Sequence, residues 1–169
     1  MTPTVFYTTI LVPGIAWCQT VIPEVPWQRN ARVLGLAIAG QESGWEYRVQ
    51  LDGGEGHSFW MFETIGVDGV LSDPLVGPMA RSLARAAGVA VTAQDIWETI
   101  ATPRGDALAV GLMRLLLYSD PLPIPPPYAP ISCYDYYDHL WRPGKPHEAD
   151  WATNLAEANA AVPLTGEIA

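Results

Sequence analysis

The chain has 169 residues, of which 49% are hydrophobic and only 16% are charged, and its formal net charge at pH 7 is −9. A chain of this length buries roughly 70% of its unfolded surface, so it can form a core without metal ions or a disulfide framework. The acidic balance argues against a nucleic-acid-binding protein, because phosphate recognition needs a basic surface. The sequence contains no run of about 20 apolar residues, so a membrane-spanning helix is not expected.

The first 27 residues contain four prolines, at Pro3, Pro13, Pro23 and Pro26, and we expect them to form an extended N-terminal arm. The apolar stretch at residues 5–17 has no Lys or Arg before it and is interrupted by a Pro-Gly pair. A secretory signal needs a basic start and an unbroken apolar segment. No export signal is therefore expected.

Residues 28–43 have the spacing of an amphipathic helix. Small and apolar residues recur there at intervals of three and four, at Val33, Leu36, Ala37 and Gly40. We expect this helix to be the buried centre of a domain that covers residues 28–169. Gly44 follows it and is a favourable residue for a helix end.

The next part of the sequence predicts a small β-rich lobe. Five glycines divide residues 45–69 into short segments, and residues 47–51 alternate as in a strand. The Asp-Gly-Gly turn at residues 52–54 fits a hairpin, and a strand at residues 59–63 would place Glu63 on one face with the side chains two and four positions before it. The expected fold class is therefore α+β, mainly α.

The remainder is predicted to be helical with proline breaks. The expected helices cover residues 75–87, 96–101, 107–118, 132–141 and 150–160. Thr92 and Asp95 approximate a capping box for the second of them. The proline-rich residues 121–130 predict a stiff strap across the surface, with a polyproline recognition segment as the alternative. Cys18 and Cys133 are expected to be reduced thiols, with a single disulfide bond as the alternative.

Glu42 is the candidate catalytic residue. It lies at the end of the apolar helix, where the glycine-rich lobe begins, and clefts form at such junctions. Burial against the helix raises the pKa of a carboxyl, as a general acid near neutral pH requires. The alternative is a solvated glutamate, although the helix dipole disfavours a negative charge at this end.

Two segments around this residue, Gln41-Glu42-Ser43-Gly44 and Gly56-His57-Ser58-Phe59-Trp60-Met61-Phe62-Glu63, resemble the lysozyme superfamily, specifically its soluble lytic transglycosylase branch. Residues 134–146 are more weakly similar to lysozyme-like proteins of tailed phages and prophages. The resemblance implies a lysozyme-like fold with a glycan cleft beside the β lobe. It also implies that Glu42 protonates the β-1,4 bond between N-acetylmuramic acid and N-acetylglucosamine.

The identity of a second carboxylate stays open. Asp52 and Ser58 approximate the Glu-Asp-Thr arrangement of phage lysozymes, and Asp52 is alternatively a turn residue. Glu63 is the other candidate, since a hydrolase needs a second carboxylate whereas a transglycosylase uses one glutamate as acid and base. Met61 departs from the family, which commonly has a sugar-binding Gln at this position.

Four further residues are candidates for substrate binding: Ser43, Ser58, Trp60 and Tyr137. The two aromatic side chains can stack on sugar rings, although large aromatic residues usually serve the core. Ser43 is expected to support the Glu42 carboxyl or the helix end. No metal and no cofactor are expected, because the three histidines and two cysteines lack metal-ligand spacing.

The expected function is that of a peptidoglycan-cleaving glycosidase, either a lytic transglycosylase or a muramidase, which penetrates the cell wall locally as part of a phage virion. Its expected partners are peptidoglycan glycan strands and other virion proteins, without nucleic acid or membrane. It is expected in the virion, or in the host cytoplasm before assembly, and to act in the periplasm or cell wall. The alternatives are a lysozyme-like structural protein of the phage particle with little or no activity, and a chitinase-type glycosidase.

Overall fold

The computed structural model describes residues 1–143 and 147–164, apart from the side chain of Asp52. This described part contains eight helices, with loops and turns between them: α1 (Pro3–Val21), α2 (Arg29–Ser43), α3 (Thr64–Ser72), α4 (Gly77–Ala86), α5 (Ala93–Ile100), α6 (Asp106–Ser119), α7 (Pro130–Trp141) and α8 (Glu148–Ala161). Short 3-10 turns occur at Leu51–Gly53 and Pro103–Gly105. The mainly α part of the expected fold class is therefore confirmed.

The prediction of a β-rich lobe is wrong. The described residues form no strand. In place of a sheet there are two isolated antiparallel bridges, which join Val49 to His57 and His57 to Phe62. The expected strand at residues 47–51 is one such bridge followed by a 3-10 turn.

Backbone geometry explains why this segment does not become a sheet. Trp45, Ser58 and Met61 have positive φ angles of 57°, 65° and 50°. Such left-handed residues turn the chain out of the extended conformation. The alternation of buried and exposed side chains expected at residues 59–63 is therefore lost. The consecutive residues Phe59 and Trp60 are both completely buried.

The expected extended arm is instead a helix. Thr2 caps α1 through its side chain, which accepts a hydrogen bond from the Val5 amide at 3.3 Å, and Pro3 occupies the first turn, where no amide donor is needed. Pro13 follows a π turn at Tyr7–Leu11. The wider turn accommodates a proline ring, which would otherwise clash with the carbonyl one turn earlier.

Among the described residues, α1 is the one helix long and apolar enough to cross a membrane, and 33% of it is buried inside the protein. It packs along α6. Its side chains that are completely buried are Phe6, Leu11, Ile15 and Cys18. These residues supply part of the hydrophobic core.

The predicted central helix is confirmed as α2, and its residues 31–40 are all buried. It packs against α8 and α6. Arg29 joins α2 to the end of α8, because its guanidinium donates to the carbonyl oxygens of Asn159 and Val162 at 2.8 and 2.9 Å. These carbonyls have no partner within a helix that is ending, so the arginine caps α8 as well as anchoring it.

Most of the later helices lie close to their predicted positions. Thr92 caps α5 by accepting a hydrogen bond from the Asp95 amide at 3.1 Å. The sequence did not predict α3, because Gly66 and Gly69 resemble loop residues there. The strap precedes α7 without forming a helix.

Two side chains from outside the strap donate hydrogen bonds to its backbone. The side chain of Asn30 donates to Ile124 O at 3.1 Å, and the Cys133 thiol donates to Pro126 O at 3.4 Å. Cys133 and Cys18 are both free and buried, so the expected reduced thiols are confirmed.

A comparison of two glycine substitutions tests the packing at the end of α2. A Cβ at Gly40 would overlap the Trp45 ring, which is fixed by its own hydrogen bond to Leu36 O at 2.9 Å. Gly40→Ala is therefore expected to destabilise the protein by about 1–3 kcal/mol. Gly69→Ala in α3 has open space and should stabilise it by about 0.5–1 kcal/mol. Urea unfolding measures both effects, and equal effects would contradict the close packing at Gly40.

Candidate functional site

An open cleft of about 1010 Å³ lies where the end of α2 faces the loop segment before α3 and the end of α7. Its lining residues come from regions far apart in sequence. The ones that matter for its chemistry are Glu42, Gln50, Met61, Glu63, Ile65, Tyr137, His139, Leu140, Trp141 and Arg142. The structure thus brings three of the predicted site residues, Glu42, Glu63 and Tyr137, to one cleft.

Glu42 lies in the last turn of α2, where the helix emerges from the core. The helix ends at Gly44, which adopts the left-handed conformation with φ of 59° and donates its amide to Gly40 O at 2.9 Å. Burial raises the pKa of the Glu42 carboxyl from 4.5 to about 7. Removal from water disfavours the charged form of an acid, so the carboxyl retains its proton close to neutral pH.

Tyr137 holds the Glu42 carboxyl in place. Its hydroxyl donates to Glu42 Oε1 at 2.6 Å, which lowers the pKa of Glu42 but by less than burial raises it. Burial and the neighbouring carboxyl raise the pKa of Tyr137 itself, so the hydroxyl remains a donor. The Tyr137 ring stacks on Trp151 with centroids 5.0 Å apart and an angle of 13° between planes.

The residue before Glu42 fixes the end of α2 to α8. The Gln41 side chain donates to His147 O at 2.8 Å and accepts from the Asn154 side chain at 3.0 Å. Trp151, also on α8, donates its indole N–H to Pro130 O at 3.0 Å. The turn that carries Glu42 is therefore tied to α8 by hydrogen bonds, and the ring on which Tyr137 stacks is fixed by a hydrogen bond of its own.

Three predicted substrate-binding residues have structural positions instead. Ser43 is buried, and its hydroxyl donates to Ala39 O within α2 at 2.8 Å. Ser58 is also buried, and its hydroxyl accepts from the Trp60 amide at 3.2 Å in a turn. Trp60 is completely buried and donates its indole N–H to Gly35 O at 2.7 Å. The structure does not bring these residues to the cleft.

The two candidates for a second carboxylate, Asp52 and Glu63, lie in different places. Asp52 lies in the 3-10 turn Leu51–Gly53, and its side chain lies outside the part of the chain that the structure describes. Glu63 is exposed at the start of α3 and lines the cleft. Among the described lining residues, Glu42 and Glu63 are the acidic ones, so one half-buried and one exposed carboxyl share the cleft.

Sequence reasoning missed Trp141, which lines the cleft as the last residue of α7. A signal for it was present, because Trp141 follows Tyr137 by four residues and such pairs lie on the same helix face. Among the described residues, no group of three His, Cys, Asp or Glu side chains is arranged to hold a metal ion. The half-buried Glu42 carboxyl, with a pKa of about 7, gives the cleft a group that can transfer a proton near neutral pH.

The stability of the protein relative to Glu42→Gln should depend on pH. The Glu42 carboxyl titrates at about 7 in the native state, against 4.5 for the unperturbed group. Between these values the native state binds more protons than the unfolded state, so the wild type loses stability relative to Glu42→Gln as pH rises. The loss should reach about 3 kcal/mol. Urea unfolding of both proteins at closely spaced pH values measures it, and a constant difference would contradict the raised pKa.

Comparison with known proteins adds no family to these observations. No protein-family model matches the chain, and neither a curated protein nor a solved structure matches it significantly. The resemblance to lytic transglycosylases stays a prediction from the motif residues of this chain.

Proposed function

We propose that the protein cleaves the glycan strands of peptidoglycan at the β-1,4 bond between N-acetylmuramic acid and N-acetylglucosamine, with Glu42 as the catalytic acid. The observation that carries this proposal is the Glu42 carboxyl, which lines a large cleft and has a pKa of about 7. A general acid works best when its pKa lies near the working pH. The resemblance of residues 41–44 and 56–63 to lytic transglycosylases supports the choice of substrate.

The proposed reaction needs one carboxyl group. Protonated Glu42 donates its proton to the glycosidic oxygen as the bond from that oxygen to the muramoyl C1 breaks. The resulting carboxylate accepts the proton of the muramoyl 6-hydroxyl, whose oxygen forms the new bond to C1. The products are a free N-acetylglucosamine 4-hydroxyl and a 1,6-anhydro ring, and Glu42 is protonated again.

Transglycosylation fits the two carboxyls of the cleft better than hydrolysis. A hydrolase positions a second carboxylate at a defined separation from the acid, to act on a water molecule or on the sugar. Glu63 is exposed, and within residues 1–143 and 147–164 its side chain makes no capping hydrogen bond at the start of α3. Glu42, in contrast, is held by Tyr137 at 2.6 Å, as expected for a single group that must both donate and accept a proton.

Delivery by a phage particle is part of this proposal. The net charge of −9 gives the free protein no electrostatic attraction to an anionic cell wall. A virion that carries the protein to the wall makes electrostatic attraction unnecessary.

A second candidate function is a structural protein of the phage particle with little or no activity. Met61 favours it, because this side chain lines the cleft at a position where the resembled family commonly has a sugar-binding Gln. A thioether is only a weak hydrogen-bond acceptor. The position of Glu42 favours the enzyme.

Digestion of purified peptidoglycan, with the products identified by mass spectrometry, tests the proposal. The wild type should release 1,6-anhydro-muropeptides, and Glu42→Gln should release them at least about 100-fold more slowly, since it removes the acid. Glu46→Gln is the matched control, because Glu46 is exposed, lies four residues further along and does not line the cleft. It should cleave like the wild type.

Other outcomes would contradict the proposal in distinguishable ways. Reducing ends instead of anhydro rings would indicate hydrolysis, and Glu63→Gln would then test the second carboxylate. Undiminished cleavage by Glu42→Gln would exclude Glu42 as the acid. No product from folded wild type would favour the structural protein.

A further inference from the structure

Trp141 lines the cleft with part of its side chain accessible and the rest packed against the core. Trp17 and Trp97 are partly buried as well, but among the described tryptophans it is Trp141 that lines the cleft. Trp141 ends α7, four residues after Tyr137. Side chains at this spacing have Cβ atoms about 5–6 Å apart, so the indole lies about one helical turn from the side chain that contacts Glu42.

The orientation of the Trp141 ring is fixed without a ligand. Its indole N–H donates to Trp60 O at 2.9 Å, and its ring lies 5.5 Å from that of Phe62. Trp60 is itself anchored to Gly35 O on α2 at 2.7 Å. The ring of Trp141 is therefore tied, through one buried residue, to the helix that carries Glu42.

These contacts limit what Trp141 can offer a ligand. Its one hydrogen-bond donor is already used, so the ring is what remains for contact with a ligand. Met61, Ile65 and Leu140 add apolar side chains to the cleft, and Ile65 is 77% exposed. Gln50, His139 and Arg142 line the same cleft and add hydrogen-bonding groups. An N-acetylated sugar matches this mixture, because its ring face and acetamido methyl are apolar while its hydroxyl and amide groups form hydrogen bonds.

We infer that Trp141 is a stacking platform for one N-acetylhexosamine ring of the glycan strand, next to the sugar at which Glu42 acts. This inference rests on the proposed function, to which it adds a specificity-determining residue. The stacked ring sets the register of the strand, and Glu42 then meets a glycosidic oxygen. The platform binds the neighbouring sugar equally in the ground state and in the transition state, so its contribution is expected in KM and not in kcat.

Binding of chitohexaose, a soluble hexamer of N-acetylglucosamine, tests this role directly. The Glu42→Gln protein serves as the parent, so that the ligand is not consumed during calorimetric titration. Adding Trp141→Ala should weaken binding about tenfold, and adding Trp141→Phe, which keeps an aromatic ring, should weaken it less. Trp97→Ala is the matched control, because Trp97 stacks on His57 outside the cleft with centroids 3.6 Å apart. It should bind like the parent.

Further measurements separate stacking from a merely structural role. In the NMR spectrum of the parent, the indole ring protons of Trp141 should shift on addition of chitohexaose, while those of Trp97 should not. In an otherwise wild-type enzyme, Trp141→Ala should raise KM for solubilised glycan strands about tenfold and change kcat by less than twofold. A structural defect would lower kcat and the melting temperature together.

The inference is overturned if Trp141→Ala binds chitohexaose as tightly as the parent, if Trp141→Phe is as weak as Trp141→Ala, or if the parent does not bind at all. None of these outcomes decides whether peptidoglycan is cleaved, because the digest of peptidoglycan by wild type and Glu42→Gln reports on that separately. Release of anhydro products together with unchanged KM in Trp141→Ala would retain the proposed function and remove the platform.

Discussion

The burial of α2 is the constraint on which the site depends. Residues 31–40 of this helix are all buried, and the helix packs against α6 and α8. The helix leaves the core at its C-terminal turn, where Gly44 ends it. Glu42 is in that turn, so its carboxyl lies next to the core and is poorly solvated. The same burial that stabilises the fold raises the pKa of Glu42 to about 7.

Two opposing interactions then set the state of the carboxyl. Burial favours the neutral acid, while the Tyr137 hydroxyl at 2.6 Å favours the carboxylate. A group used alternately as acid and base benefits from both, because each protonation state must be accessible in one catalytic cycle. Tyr137 can serve this purpose because α8 supports it from behind, through the stacked ring of Trp151. The tie between Gln41 and α8 holds the other side of the pair.

The sequence predicted those parts of the molecule whose cause is local. The periodicity of residues 28–43 and the glycine after them located α2 and placed Glu42 at its end. The N-terminal helix was missed because Pro3 and Pro13 are usually helix breakers, whereas here one occupies the first turn and the other follows a π turn. The glycine-rich residues 45–69 fit a hairpin as well as an irregular loop. The loop forms because Trp45, Ser58 and Met61 adopt positive φ angles, which interrupt an extended strand. The contact between Glu42 and Tyr137 joins residues 95 positions apart. The spacing of residues within one helix cannot predict such a long-range contact.

Burial at the end of α2 keeps the Glu42 carboxyl protonated close to neutral pH, as the proposed catalytic acid requires. The most direct test of this protonation is an NMR titration of the side-chain carboxyl carbons of the wild type, in which the Glu42 resonance is identified by its absence from Glu42→Gln. We expect a midpoint at about pH 7 for this resonance. A midpoint near 4.5, the value of an unperturbed glutamate, would show that the core does not raise the pKa of Glu42.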